Sequence, residues 1–80
     1  MKKPTKVRHG VLSALVARNV VRIRSAKGVT QTALAERTGI TQPTVSKVET
    51  GSYPPPLELI ETLAAGLGVP PLKLFEENLP

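Results

Sequence analysis

The sequence predicts an all-α fold, a compact domain of five helices. Three observations carry that expectation. Apolar residues recur at spacings of three and four in successive segments, no stretch shows the period-two alternation of a strand, and glycines stand just past the ends of the periodic segments. The chain has 80 residues, which is one domain at most and leaves roughly 60–65% of the unfolded surface to bury.

The first predicted helix runs over residues 11–27. Leu12, Leu15, Val16, Val20, Ile23 and Ala26 line one face, Ser13, Arg18, Arg22 and Lys27 the others, and Gly28 ends it. Thr30 is placed to cap a second helix over residues 31–38, with Leu34 and Ala35 facing inward. Gly39 follows as the left-handed residue of a tight turn. Thr41 caps a third helix whose Val45 and Val48 sit three apart on the inner side, and Gly51 stops it. Because residues before proline avoid helical angles, that helix is expected to begin at Pro43 in its favoured first position, with Gln42 leading outside it. The stretch SYPPP is a stiff connector. A fourth helix then repeats Leu57, Ile60, Leu63, Ala64 and Leu67 up to Gly68, with Gly66 inside it costing about 1 kcal/mol relative to Ala. The tail PPLKLFEENLP supplies a short fifth helix.

Charge is unevenly spread. Of the 11 Lys and Arg, ten fall in residues 1–47 with Glu36 as the one acid, whereas residues 48–80 set Lys73 against five Glu. A basic half of this kind attracts nucleic acid or anionic lipid. The start MKKPTKVRHG followed by VLSALVA mimics a signal peptide, but Arg18 interrupts it and the helical pattern continues through Ile23, so it is read as folded chain. No run approaches the roughly 20 apolar residues of a membrane span. Residues 1–10 form a flexible basic arm that either follows a phosphate backbone or is idle, and residues 11–80 form the domain. With no Cys, one His (His9, in that arm) and no clustered carboxylates, neither a metal, a cofactor nor an enzymatic acid–base set is expected. A reducing, cytoplasmic setting fits the absence of Cys.

Residues 31–50, QTALAERTGITQPTVSKVET, are the informative stretch. Two short amphipathic helices about a glycine turn make a helix-turn-helix. Small Ala35 permits a close crossing, while Leu34, Ile40, Val45 and Val48 form the wedge that sets it. With about 100° between neighbours, Pro43, Ser46, Lys47 and Thr50 point away from Val45 and Val48, and Gln42 leads at the tip. A core needs no such polar edge. A duplex groove does: Gln reads adenine and Lys reads guanine there, each good pair being worth about 1–3 kcal/mol of discrimination.

The stretches RSAKGVTQTALAERTGI, TQPTVSKVETG and PPLELIETLAAGLGVPPLKLF resemble, in order and spacing, the lambda-repressor-like (Cro/C1-type, XRE) helix-turn-helix family, over about three quarters of the chain. The resemblance implies a transcriptional regulator that binds double-stranded DNA, of repressor type and homodimeric on a palindromic operator. It places the third helix in the major groove and the start of the second helix on a phosphate. Base contacts are then expected from Gln42, Thr44, Ser46 and Lys47. Phosphate contacts are expected from Gln31, Thr32, Arg22, Lys27 and Thr50, with Arg18 and Arg37 as further candidates. It also implies an ion pair between Arg24 and Glu49 that holds the third helix. Departures from the family pattern are Pro43 where a polar reader is usual, Thr32 and Ala33 in place of two acids, and Pro56 and Pro70 in place of side-chain caps. Leu72, Leu74, Phe75 and Leu79 are candidates either for dimerisation or for closing the core. The rival expectation is an antitoxin or other protein-interaction module that masks a toxin and binds DNA secondarily.

Overall fold

The structure, a computed structural model, describes residues 10–51 and 53–77. The basic arm up to His9, and Leu79 at the other end, lie outside the described residues. Four α-helices follow in order: α1 (Val11–Ala26), α2 (Gln31–Thr38), α3 (Gln42–Thr50) and α4 (Leu57–Leu67). Among the described residues there is no strand. The fifth helix is one of 3-10 type, Pro71–Phe75, with Lys73 N–H donating to the Pro70 carbonyl at 2.9 Å. Two successive prolines set its start, and its five residues are too few to establish the i to i−4 pattern of an α-helix.

Side chains cap the two central helices. Thr30 Oγ1 accepts from Ala33 N–H at 3.0 Å, and Thr41 Oγ1 from Thr44 N–H at 3.4 Å. The Thr41 carbonyl also accepts from Val45 N–H at 3.1 Å, so the helix begins at Gln42 and not at Pro43. Proline in this first turn forfeits no bond, because the N–H groups there lack intrahelical acceptors in any case. Between the helices Gly39 takes φ 75°, and its N–H donates to the Ala35 carbonyl at 2.9 Å.

α1 packs on α3 and the 3-10 helix, while α2 packs on α3 and α4. Val16, Val20, Leu34, Val45, Val48, Leu63, Ala64 and Leu67 fill the shared interior. Leu12, Ala26 and Leu57 were expected on buried faces and are exposed instead. All three sit in first or last turns, which project beyond the neighbours available to cover them. Asn19 takes the opposite course and is fully buried. Its Nδ2 donates to the carbonyls of Leu74 and Glu76, both at 2.8 Å, tying the 3-10 helix to α1. Satisfied in this way, a buried amide costs little.

Gly66 is inside α4 because α2 leaves it no room. A Cβ at this position would collide with Cγ2 of Thr38 and meet Leu34 Cδ1 at 3.0 Å. Thr38 cannot turn its methyl away freely, since its hydroxyl donates to the Leu34 carbonyl at 2.8 Å and accepts from Ile40 N–H at 3.2 Å. The helix-propensity cost noted from the sequence is thus the condition for the α2–α4 contact.

The third helix is held to the first by charge. Arg24 Nε and Nη2 donate to the two carboxylate oxygens of Glu49 at 2.6 and 2.9 Å, a bidentate pair, and Nη1 donates to the Val29 carbonyl at 2.9 Å. The side chains are only 17% and 6% exposed. Hydrogen bonding to Glu49 raises the Arg24 pKa above its ordinary value, against an opposing desolvation and with the charge of Glu49 adding to the rise. The pair therefore favours the charged form of Arg24.

Two outcomes follow from this packing. Gly66→Ala gains about 1 kcal/mol of helix propensity but overpacks the crossing at a cost of about 1–3 kcal/mol, so urea unfolding is expected to show a net loss, restored by adding Thr38→Ser. Glu49→Ala strands a part-buried guanidinium and is expected to cost about 1–3 kcal/mol; the double variant Arg24→Met/Glu49→Leu is expected to be more stable than that single one.

Candidate nucleic-acid interface

Burying Val45 and Val48 turns the other side of α3 outward. Pro43, Lys47 and Thr50 are exposed there, with Ser46 half-buried beside them. Among the described residues Lys47 makes no side-chain hydrogen bond or ion pair, so its ammonium is held only by its stem. Thr50 Oγ1 donates back to the Lys47 carbonyl at 2.7 Å. Thr44 is half-buried, its hydroxyl 2.8 Å from that of Thr41. The edge therefore offers one unengaged cation, several hydroxyls and a proline.

At the tip, Gln42 is not an isolated side chain. Its Nε2 donates to Gln31 Oε1 at 2.7 Å, and Gln31 Nε2 donates to Glu49 Oε1 at 2.8 Å. A continuous chain of hydrogen bonds thus runs from Gln42 through Gln31 and Glu49 to Arg24. Each amide nitrogen has two N–H donors. One proton of each is engaged in this chain, and the other, together with Oε1 of Gln42, remains to meet a ligand. Gln31 and the exposed Thr32 open α2, where unpaired backbone N–H groups and the positive end of the helix dipole favour an anion.

The remaining basic candidates do not converge on this edge. Arg22 Nη2 donates to Asn19 Oδ1 at 3.3 Å, on the side of α1 that faces the 3-10 helix. It stands about 200° around the helix from Arg24, which faces α3. Arg37 Nη1 donates to the Gly66 carbonyl at 3.3 Å, drawn to the negative end of α4. Lys27 also lies there, with Nζ 3.7 Å from where a Cβ on Gly68 would stand. Arg18 is exposed near the start of α1. Arg22 and Arg37 each spend one guanidinium nitrogen on a nearby amide or carbonyl oxygen, and both side chains remain exposed.

Of the dimerisation candidates, Leu74 is fully buried in the core of its own chain and Phe75 packs half-buried against that core, so these two close the monomer. Leu72 is 79% exposed. The Gln31–Gln42 bond and the role of Asn19 escaped sequence reasoning. A signal for the second was present, since Asn19 interrupts an otherwise apolar stripe between Val16 and Ile23. The first leaves no trace in periodicity, because it joins two helix starts across a turn.

Comparison with known proteins agrees with this geometry. Residues 21–74 match the helix-turn-helix family HTH_3. No curated protein matches the sequence. Among solved structures, a hypothetical transcription factor, NHTF, from Neisseria is 33% identical, with a TM-score of 0.79 over 94% of this chain and 87% of its own. The restriction-modification controller protein C.AhdI from Aeromonas hydrophila is 32% identical, with a TM-score of 0.75 over 79% of this chain and 96% of its own. The controller protein C.Esp1396I, solved as a tetramer with its natural 35 base-pair operator, is 28% identical, with a TM-score of 0.76 over 81% of this chain and 86% of its own. With its wedge, its glycine turn and its outward polar edge in the family's order, this chain belongs to the HTH_3, lambda-repressor-like family of helix-turn-helix proteins.

Proposed function

We propose that the protein is a transcriptional regulator that binds double-stranded DNA in a sequence-dependent way, as a homodimer of repressor type on a palindromic operator. The observation that carries this reading is the outward edge of α3, with Lys47 unengaged and Gln42 braced through Gln31 to a buried carboxylate. Lys47, Gln42, Ser46 and Thr44 are the base-reading set. Gln31 and Thr32 meet one phosphate at the start of α2, Thr50 meets another at the end of α3, and Lys27 lies further from this edge.

Pre-positioning matters here because a glutamine amide otherwise loses rotamer freedom on docking. Gln31 spares Gln42 part of that cost and links phosphate contact to base reading. The tetrameric operator complex of C.Esp1396I supports the assembly of several copies on one duplex. Family membership supports action by binding and not by catalysis, and a DNA target is compatible with a cytoplasmic setting. No helix among the described residues is long and apolar enough to cross a membrane.

Selection of bound sequences from a random duplex pool tests the assignment. Lys47→Ala is expected to relax the preferred motif at one position if Lys47 reads a base; an even loss of affinity with the salt slope reduced by about one would reassign it to phosphate. Gln31→Ala is expected to weaken operator binding by about tenfold, roughly 1.4 kcal/mol, and to broaden the position read by Gln42. Loss of affinity with an unchanged motif would remove Gln31 from its bracing role.

A further inference from the structure

The outward edge of α3 has one position made of carbon alone. Gln42, Ser46, Lys47 and Thr50 each carry a polar side-chain atom, whereas Pro43 is exposed and presents only ring methylenes. The backbone around it is equally bare of donors. Proline has no N–H, and the next two N–H groups turn inward: Thr44 donates to the hydroxyl and carbonyl of Thr41 at 3.4 and 3.1 Å, and Val45 to the same carbonyl at 3.1 Å. The polar neighbours are drawn aside as well. Gln42 Nε2 donates to Gln31 Oε1 toward α2, and the Thr44 hydroxyl lies 2.8 Å from that of Thr41. A first-turn proline serves helix initiation from any face; here the face is the outward one. A helix that enters a major groove with its N-terminal residues on base edges thus leads with a rigid apolar ring.

We infer that Pro43 reads the C5-methyl group of a pyrimidine, thymine or 5-methylcytosine, in the groove that α3 enters. The inference rests on the DNA-binding reading above and adds an apolar contact to its polar set. Chemistry selects the ligand. In the major groove guanine shows two acceptors, adenine an acceptor and a donor, cytosine a donor, and thymine an acceptor beside a methyl group. An apolar ring pressed on a donor or acceptor strips its water and returns no hydrogen bond, which costs free energy. Pressed on a methyl group, the same ring removes apolar surface from water at no polar cost. Proline also loses no rotamer freedom on docking. A cytosine methylated at C5 presents the same group at the same ring position, so occupancy of the operator becomes sensitive to cytosine methylation there.

The full chain is titrated with the duplex it selects from a random pool, each thymine being replaced in turn by uracil, which keeps the pairing and O4 but lacks the C5-methyl. Wild type is expected to lose about fourfold in affinity, the effect of one buried methyl-sized group, at one thymine within the site bound by each α3. Pro43→Ser and Pro43→Gln are expected to bind the thymine and uracil duplexes alike at that position; if Ser unfolds the chain, Gln decides. With a C·G pair placed there, methylation of the cytosine at C5 is expected to tighten wild-type binding by about fourfold and to leave Pro43→Gln unchanged. A uracil effect without a gain from 5-methylcytosine confines the contact to thymine, and a gain from both extends it to methylated DNA; either supports the inference when it vanishes in Pro43→Gln. A methyl effect that persists in the variants returns Pro43 to helix initiation alone and overturns the contact. Selective binding by wild type with no methyl effect at any position also overturns it and leaves the DNA-binding reading standing. A wild type that forms no salt-sensitive complex with any duplex overturns that reading, and this contact with it.

Discussion

The carboxylate of Glu49 is where three helices are made to agree. It sits on α3, takes two bonds from Arg24 of α1 and a third from Gln31 of α2, and is almost wholly shielded from water. A charge in that position is tolerable because Arg24 neutralises it and nearly every lone pair is used. Net stabilisation by such a pair is small. Its consequence is geometric: rotation of α3 about its axis would break a bidentate bond in a low-dielectric setting, so the outward edge is held at one angle relative to α1 and α2.

Steric limits act alongside that charge. Gly66 lets α4 approach α2 until backbone meets a threonine methyl, and Gly51 ends α3 in a left-handed conformation, φ 77°, beside Ala14 and Ala17. Small residues at crossings shorten interhelical distances and permit a core of few large side chains to reach native packing density. In an 80-residue chain without disulfides, that economy is what allows one face of α3 to remain polar.

Function inherits from both constraints. An edge proposed to read bases has to be exposed, and a polar helix face exposed in this way buries little apolar surface, so the remainder of the domain carries most of the stability. The same division explains the charge distribution. Ten of the 11 Lys and Arg precede α4, four of the six Glu lie from α4 onward, and several arginines serve structural oxygens before any ligand arrives.

Much of this architecture was legible in the linear chain. Periodicity located four helices, Thr30 and Thr41 announced their caps, Gly39 marked the turn, and Val45 with Val48 fixed which side of α3 faces outward, because these are local effects within one or two helical turns. Tertiary structure alone decided the rest. Whether Leu12 and Leu57 are covered, where Arg22 and Arg37 reach, why Gly66 is glycine, and that Gln42 is braced by Gln31 all depend on which distant atoms occupy the neighbouring space. Contacts between residues 11 to 57 positions apart, such as Gln42 with Gln31 and Asn19 with Glu76, leave no period in a sequence.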